Sequence, residues 1–212
     1  MVEKDKVRSK IISQACIIFR KFGYKKTTMD DIARSTKKGK SSIYYYFKGK
    51  EDIYNAVVLR EASYFRQAIM QAISSGKDPY DKLKRYVLTR MNTIPLTSNF
   101  HNALKIKDVR DSEFIVRLNK IYDHEEIRLF KIILKEGVEN NYFMVNDIDL
   151  AATAIVMAMR GMESRLMEEE IHEVYIRRLD EIIQIIFYGI VNRESTFVPA
   201  ANINKVKENI NN

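Results

Sequence analysis

Three bursts of apolar residues, crowded into the first 47 positions and separated by two short polar turns, constrain this 212-residue chain more than any other feature. In the first burst Val7, Ile11, Ala15, Ile18, Phe19 and Phe22 recur at three- and four-residue spacing, the stripe of an amphipathic helix. Gly23 follows the last of them and is expected to supply a left-handed C-cap. Thr28 then reads as an N-cap, with Asp31 three residues on in the position of a capping-box acid. A second helix should therefore end near Ser35. Thr36-Lys37-Lys38 makes a brief polar turn, and a third short helix is expected from about Gly39 to Tyr46. A fourth starts near Lys50 and runs to about Ser74.

The third helix has two unlike sides. At about 100° per residue, Ile43 and Phe47 share one face and Tyr45 lies opposite, flanked by Ser41, Ser42 and Lys48. Tyr44 and Tyr46 occupy the shoulders. Three consecutive helical residues cannot share one buried face, so at least one tyrosine must look outward. Lys37, Lys38 and Lys40 crowd the helix start, where free N–H groups already favour an anion. The charge distribution agrees. Residues 1–50 hold 14 Lys and Arg against four Asp and Glu, whereas the remaining 162 hold 22 against 24. The whole net charge of +8 thus comes from the first quarter, which points to a polyanionic partner.

Only seven Gly and three Pro punctuate the chain, so the rest should be helical too. Helices are expected at about 79–93, 100–109, 112–139, 148–167 and 172–192, about nine in all, in an all-α protein without strands. Residues 193–212 carry no dense apolar stripe and read as a flexible tail. In the 148–167 segment Leu150, Ala154, Met157 and Gly161 fall on one side. The 172–192 segment carries a wide stripe including Leu179, Ile182, Ile183, Ile186 and Ile190. Cys16 is the sole cysteine, which excludes an intramolecular disulfide, and a buried inert thiol is expected. No apolar run approaches the roughly 20 residues of a membrane span, and the charged N-terminus has no apolar leader, so a cytoplasmic protein without a membrane partner is expected.

Catalytic and metal signals are missing from the sequence. His101, His124 and His172 have no ligand spacing between them or to Cys16. Gly39-Lys40-Ser41 resembles the end of a phosphate-binding loop, but Arg34 stands where that loop needs glycine. No hydrolase or dinucleotide signature occurs. The chain is therefore read as a non-enzyme with no catalytic residue, no metal and no cofactor.

Phe19-Arg20-Lys21-Phe22-Gly23-Tyr24, then Thr27-Thr28-Met29-Asp30-Asp31-Ile32-Ala33, then Ile43-Tyr44-Tyr45-Tyr46-Phe47-Lys48-Gly49-Lys50-Glu51 occur in one order and spacing. Over about residues 7–58 this resembles the N-terminal domain of the tetracycline-repressor (TetR) family. Glu136-Gly137-Val138-Glu139, Asp149-Leu150-Ala151-Ala152 and Gly161 are similar to that family's weaker C-terminal pattern. The resemblance implies a helix-turn-helix DNA-binding domain at 1–50 and a helical ligand-sensing and dimerisation domain at 51–192. It implies a homodimeric repressor that binds a palindromic operator in double-stranded DNA and is released by a small-molecule effector. Thr28 and Lys50 would meet phosphates. Lys40, Ser41, Ser42, Tyr44, Tyr45 and Tyr46 would face the major groove and its backbone, with Ile32, Ala33, Ile43 and Phe47 in the core. Helices 148–167 and 172–192 would form a four-helix dimer bundle. Tyr86, Met91, Phe100, Leu104, Tyr122, Phe130 and Met157 are candidates to line the effector cavity, with plain core packing the competing role for each.

One departure concerns the turn, which in the family commonly reads Ala-Gly-Val-Ser and here reads Thr36-Lys37-Lys38-Gly39. Either Lys37 takes the left-handed conformation at a cost of roughly 1–2 kcal/mol, or the turn shifts so that Gly39 takes it. Two alternatives stay open. A regulator of the same fold could answer to a protein partner or act constitutively. A helical enzyme would require an acid–base constellation that the chain does not display.

Overall fold

The apolar periodicity of the sequence becomes helix in the described residues. The computed structural model describes residues 2–105 and 112–166 together with Glu181 and Gln184. Residues 1–176 form one compact unit and 177–212 a second. The described residues contain eight α-helices: α1 (Val2–Lys26), α2 (Met29–Thr36), α3 (Lys40–Tyr44), α4 (Lys50–Ser74), α5 (Pro79–Thr93), α6 (Ser98–Ala103), α7 (Glu113–Glu139) and α8 (Ile148–Leu166). A 3₁₀ turn, Ile94–Thr97, joins α5 to α6. No strand occurs among the described residues. The helix expected at 100–109 instead spans Ser98–Ala103 and gives way to a turn at Leu104 and Lys105. Apart from Glu181 and Gln184, the helix expected at 172–192 and the tail at 193–212 lie outside the described residues.

Local chemistry sets the boundaries. The Thr28 side chain accepts from the Asp31 N–H while Asp31 accepts from the Thr28 N–H at 2.9 Å, a complete capping box for α2. Asp78 caps α5 by accepting from the Asp81 N–H at 2.8 Å, and Pro79 fills the first helical position, where no N–H is needed. Asp147 caps α8 through the Leu150 N–H. The expected glycine cap of α1 takes a different form. Gly23 has φ 78° and ψ 163°, outside the left-handed helical well and in a region open essentially to glycine alone. It breaks the helix internally, and three further residues continue to Lys26. Thr27, buried beyond them, donates its hydroxyl back to the Gly23 carbonyl at 2.8 Å and fixes the turn into α2.

The first three helices share a small core of Ile11, Ala15, Phe19, Ile32, Ile43 and Phe47. Phe22, placed on the stripe by its spacing, is exposed, because Gly23 ends the regular packing just beyond it. Helix α4 is the spine: Ile53, Val57, Val58 and Ala62 are fully buried, and it packs on α1, α5 and α6. Phe19 meets Tyr54 edge to face at 5.0 Å, and the Tyr54 hydroxyl donates to the Asn99 carbonyl at 3.1 Å. Helices α7 and α8 pack together at the other end. The chain leaves α7 through a close turn in which Tyr142 and Phe143 donate to the Gly137 carbonyl, and a side chain at 137 would strike the Phe143 ring.

Candidate functional site

Helix α3 is held from within and open from without. Ile43 is fully buried and Phe47 nearly so, while Tyr45 is 68% exposed and Tyr44 48%. Ser41 is exposed and Ser42 and Tyr46 are half-buried. None of the three tyrosines is a core residue. The Tyr45 and Tyr46 rings brace one another edge to face at 5.0 Å. Regular helix stops at Tyr44, two residues short of the expected end.

The turn before α3 resolves the question raised by Lys37. Lys37 itself is left-handed (φ 55°, ψ 39°), and its N–H donates to the Arg34 carbonyl. Gly39 is extended and serves as the N-cap. Thr36, buried beneath, bonds the Ala33 carbonyl at 2.9 Å. The turn therefore keeps its register with a lysine in the strained position, and that side chain projects into solvent.

The expected phosphate contacts have intramolecular duties. The Thr28 hydroxyl donates to Asp31 Oδ2 at 2.7 Å, and these bonds hold the Asp31 carboxyl below its usual range. Lys40 Nζ lies 3.1 Å from the Asp30 carboxylate, which raises the ammonium pKa. Lys50 Nζ donates to the Tyr24 carbonyl at 3.0 Å and sits over the Tyr24 ring. Each lysine has further N–H bonds to offer, since an ammonium has three. Two basic residues not singled out in the sequence also border α3: Lys4 Nζ lies 4.8 Å from the Tyr45 ring centre, and the Arg8 guanidinium covers Phe47. Their four-residue spacing on the polar side of α1 was the available signal.

Behind this face, a buried carboxylate ties α1 to the rest of the unit. Glu61 on α4 is 4% exposed. Its Oε1 accepts from Arg20 at 3.1 Å, Asn99 at 2.8 Å and the Cys16 thiol at 3.0 Å, and its Oε2 from the Phe100 N–H at 3.0 Å. Arg20 also donates to the Leu96 carbonyl at 2.6 Å. Burial, then the Glu61 hydrogen bond and charge, push the Cys16 thiol up to about 11. The thiol is half-buried and protonated at neutral pH, which makes it a poor nucleophile. Glu61 was legible as a lone acid on the buried stripe of Val57, Val58 and Phe65.

Next to this junction lies a cavity of about 410 Å³ between α4, α5, α6, α7 and α8. Phe100, Leu104 and Tyr122 line it, as the sequence suggested. Tyr86, Met91, Phe130 and Met157 do not. Tyr86 is fully buried behind the wall, where its hydroxyl bonds Glu126 and its ring meets Phe130 edge to face at 4.6 Å. Met91 and Phe130 are core, and Met157 is 68% exposed on α8. Among the described residues no group of His, Cys, Asp and Glu could hold a metal ion, and no helix is long and apolar enough to cross a membrane. His172 lies outside the described residues.

A short helix anchored by two apolar side chains, presenting hydroxyls under a lysine-rich tip on a larger helical body, defines a helix-turn-helix DNA-binding protein. Residues 11–57 match the model for bacterial regulatory proteins of the tetR family. The chain thus resembles the TetR family of transcriptional regulators, with the family-model match confined to its first 57 residues. It is 24% identical over 191 residues to the HTH-type transcriptional regulator QacR of Staphylococcus aureus, covering 87% of this chain and 98% of that one. It is 28% identical over 139 residues to the biofilm operon icaADBC HTH-type negative transcriptional regulator IcaR of the same species, covering 59% and 74%. The fold is that of the transcriptional regulator FadR from Bacillus subtilis, solved in complex with stearoyl-CoA, with a TM-score of 0.68 at 19% identity, covering 86% of this chain and 99% of that one.

Proposed function

We propose that the protein is a homodimeric, ligand-responsive repressor that binds a palindromic operator through α3 and leaves it when a small molecule occupies the cavity. The observation that carries this reading is the two-sidedness of α3: Ile43 and Phe47 buried, Tyr45 68% exposed beside the lysine tip. Residues 1–50 form the DNA-reading part and 51–192 the sensing and dimerisation part. Thr28 and Lys50 orient the reading head, and Lys40, released from Asp30, meets backbone phosphate. Ser41, Ser42, Tyr44, Tyr45 and Tyr46 meet base edges and backbone.

A dimer supplies what one short helix lacks, since two copies read half-sites about 34–36 Å apart. Helix α8 supports it. Ala152, Val156 and Met159 are buried on its inner side, whereas Leu150, Ala154, Met157 and Gly161 are exposed on the other. An exposed apolar stripe of this kind marks an interaction surface. Regulation runs through α6, whose Phe100 lines the cavity with its side chain and bonds Glu61 with its N–H. A ligand favouring one position of α6 shifts the α1 contacts made through Glu61 and lowers DNA affinity by the coupling energy, typically about 1–3 kcal/mol. The negative regulator IcaR and the ligand-bound FadR structure accord with this reading.

The test is Tyr45→Ala against DNA selected from genomic fragments by the purified protein. Specific binding should fall at least about tenfold, with nonspecific binding and the folded dimer retained. Equal loss on both DNAs would remove Tyr45 from the groove.

A further inference from the structure

The cavity has a polarity that its apolar walls conceal. Phe65, Ile69 and Phe100 form a floor that is nine-tenths or more buried. The rim is exposed and charged: Arg66, Lys105, Glu125 and Arg128 stand there beside Met70 and Ile132. Among the described lining residues, five Lys and Arg face two Glu. Both glutamates are already matched. Glu125 pairs with Arg66 at 2.8 Å, and Glu126 pairs with buried Arg90 and also bonds the Tyr86 hydroxyl. Asp123, just outside the lining, pairs with Arg160. Each of these described acids is thus matched by an arginine, and Arg128 stands exposed at the rim beside them.

We infer that the cavity takes an amphipathic anion, its apolar body on the Phe65–Ile69–Phe100 floor and its carboxylate, phosphate or sulfate head at the rim beside Arg128. A lipophilic cation is disfavoured, because both glutamates among the described lining residues are already paired with arginine and a desolvated unpaired charge is costly. A neutral apolar molecule would fill the floor and leave the rim unused. The volume, about 410 Å³, lies within the range of roughly 300–1,000 Å³ usual for small-molecule sites. The inference rests on reading this cavity as the effector site, and it names the class of effector.

The test is calorimetry on the DNA-free protein with three probes that share one tail: decanoate, decyltrimethylammonium and decanol. Decanoate should bind at least about tenfold more tightly than either, as one charge-assisted contact predicts. Arg128→Ala should reduce that preference, and Arg128→Glu should abolish it. Circular dichroism confirms that each variant is folded, which the exposed position of Arg128 favours. Equal binding of all three probes, tighter binding of the cation, no binding of any, or a preference unmoved in Arg128→Glu would each overturn the inference. Decyl sulfate and decyl phosphate, added in parallel, distinguish the head group. Release of selected DNA is measured separately. Anion binding without release would leave the ligand class standing and remove the regulatory reading instead.

Discussion

Lys37 is the residue at which sequence and backbone disagree most openly. It holds a left-handed conformation that costs an L-residue roughly 1–2 kcal/mol, in a turn that would suit glycine. Lys37→Gly should stabilise the protein by about 0.5–1 kcal/mol, once the entropy glycine adds to the unfolded chain is subtracted. The shift in urea midpoint at unchanged slope measures it. In the proposed function this strained position lies at the lysine-rich tip that faces DNA phosphate, where the charge serves binding. Cys16 makes a second prediction. Its proton is held more tightly in the folded state, so the associated stability is present at neutral pH and is lost as pH rises from about 9 through 11. Alkylation at pH 8 should be on the order of tenfold slower than in the urea-unfolded chain, the scarcity of thiolate being partly offset by its greater nucleophilicity. Glu61→Gln should narrow the difference. Equal rates in folded and unfolded chains would contradict the raised pKa.

Among the elements, α3 was the most legible. The facing of α3 and of the turn that follows it was predicted by helical angle alone, because Ile43 in the helix and Phe47 just beyond it anchor one side. The cavity was far less so. It is assembled from five helices, and whether a methionine or aromatic residue faces a void or a neighbour depends on packing that one chain's periodicity does not encode. Tyr86 and Phe130 turned toward each other and left the wall to Phe100 and Tyr122. Met157 and Met159, two positions apart on α8, lie on opposite sides, one exposed and one fully buried. This contrast carries a prediction. In the proposed dimer Met157→Glu should leave the fold intact and weaken self-association at least about tenfold, since two-fold symmetry would bring both charges into the seam. Sedimentation across a concentration series reads it, and an unaltered dimer would move the interface elsewhere.

At the scale of the whole described unit, the decisive contact is one that composition hides. A single carboxylate, Glu61, gathers an arginine and a thiol from α1 together with an amide and a backbone N–H from α6. Glu61→Gln presents donors where the neighbours need an acceptor and should cost about 2–3 kcal/mol. In the proposed function it should also reduce the ratio of DNA affinities with and without ligand, which paired titrations would measure. A normal ratio in a destabilised variant would make the junction structural only. The same arrangement bears on modular exchange. The proposed DNA-reading part would end at about residue 50, yet Cys16 and Arg20 find their partners at positions 61, 96 and 99. A chimera that transplants only the first fifty residues onto a foreign body would leave that guanidinium without its acceptors. Target preference should therefore travel between relatives intact only when Glu61 and Asn99 accompany the graft.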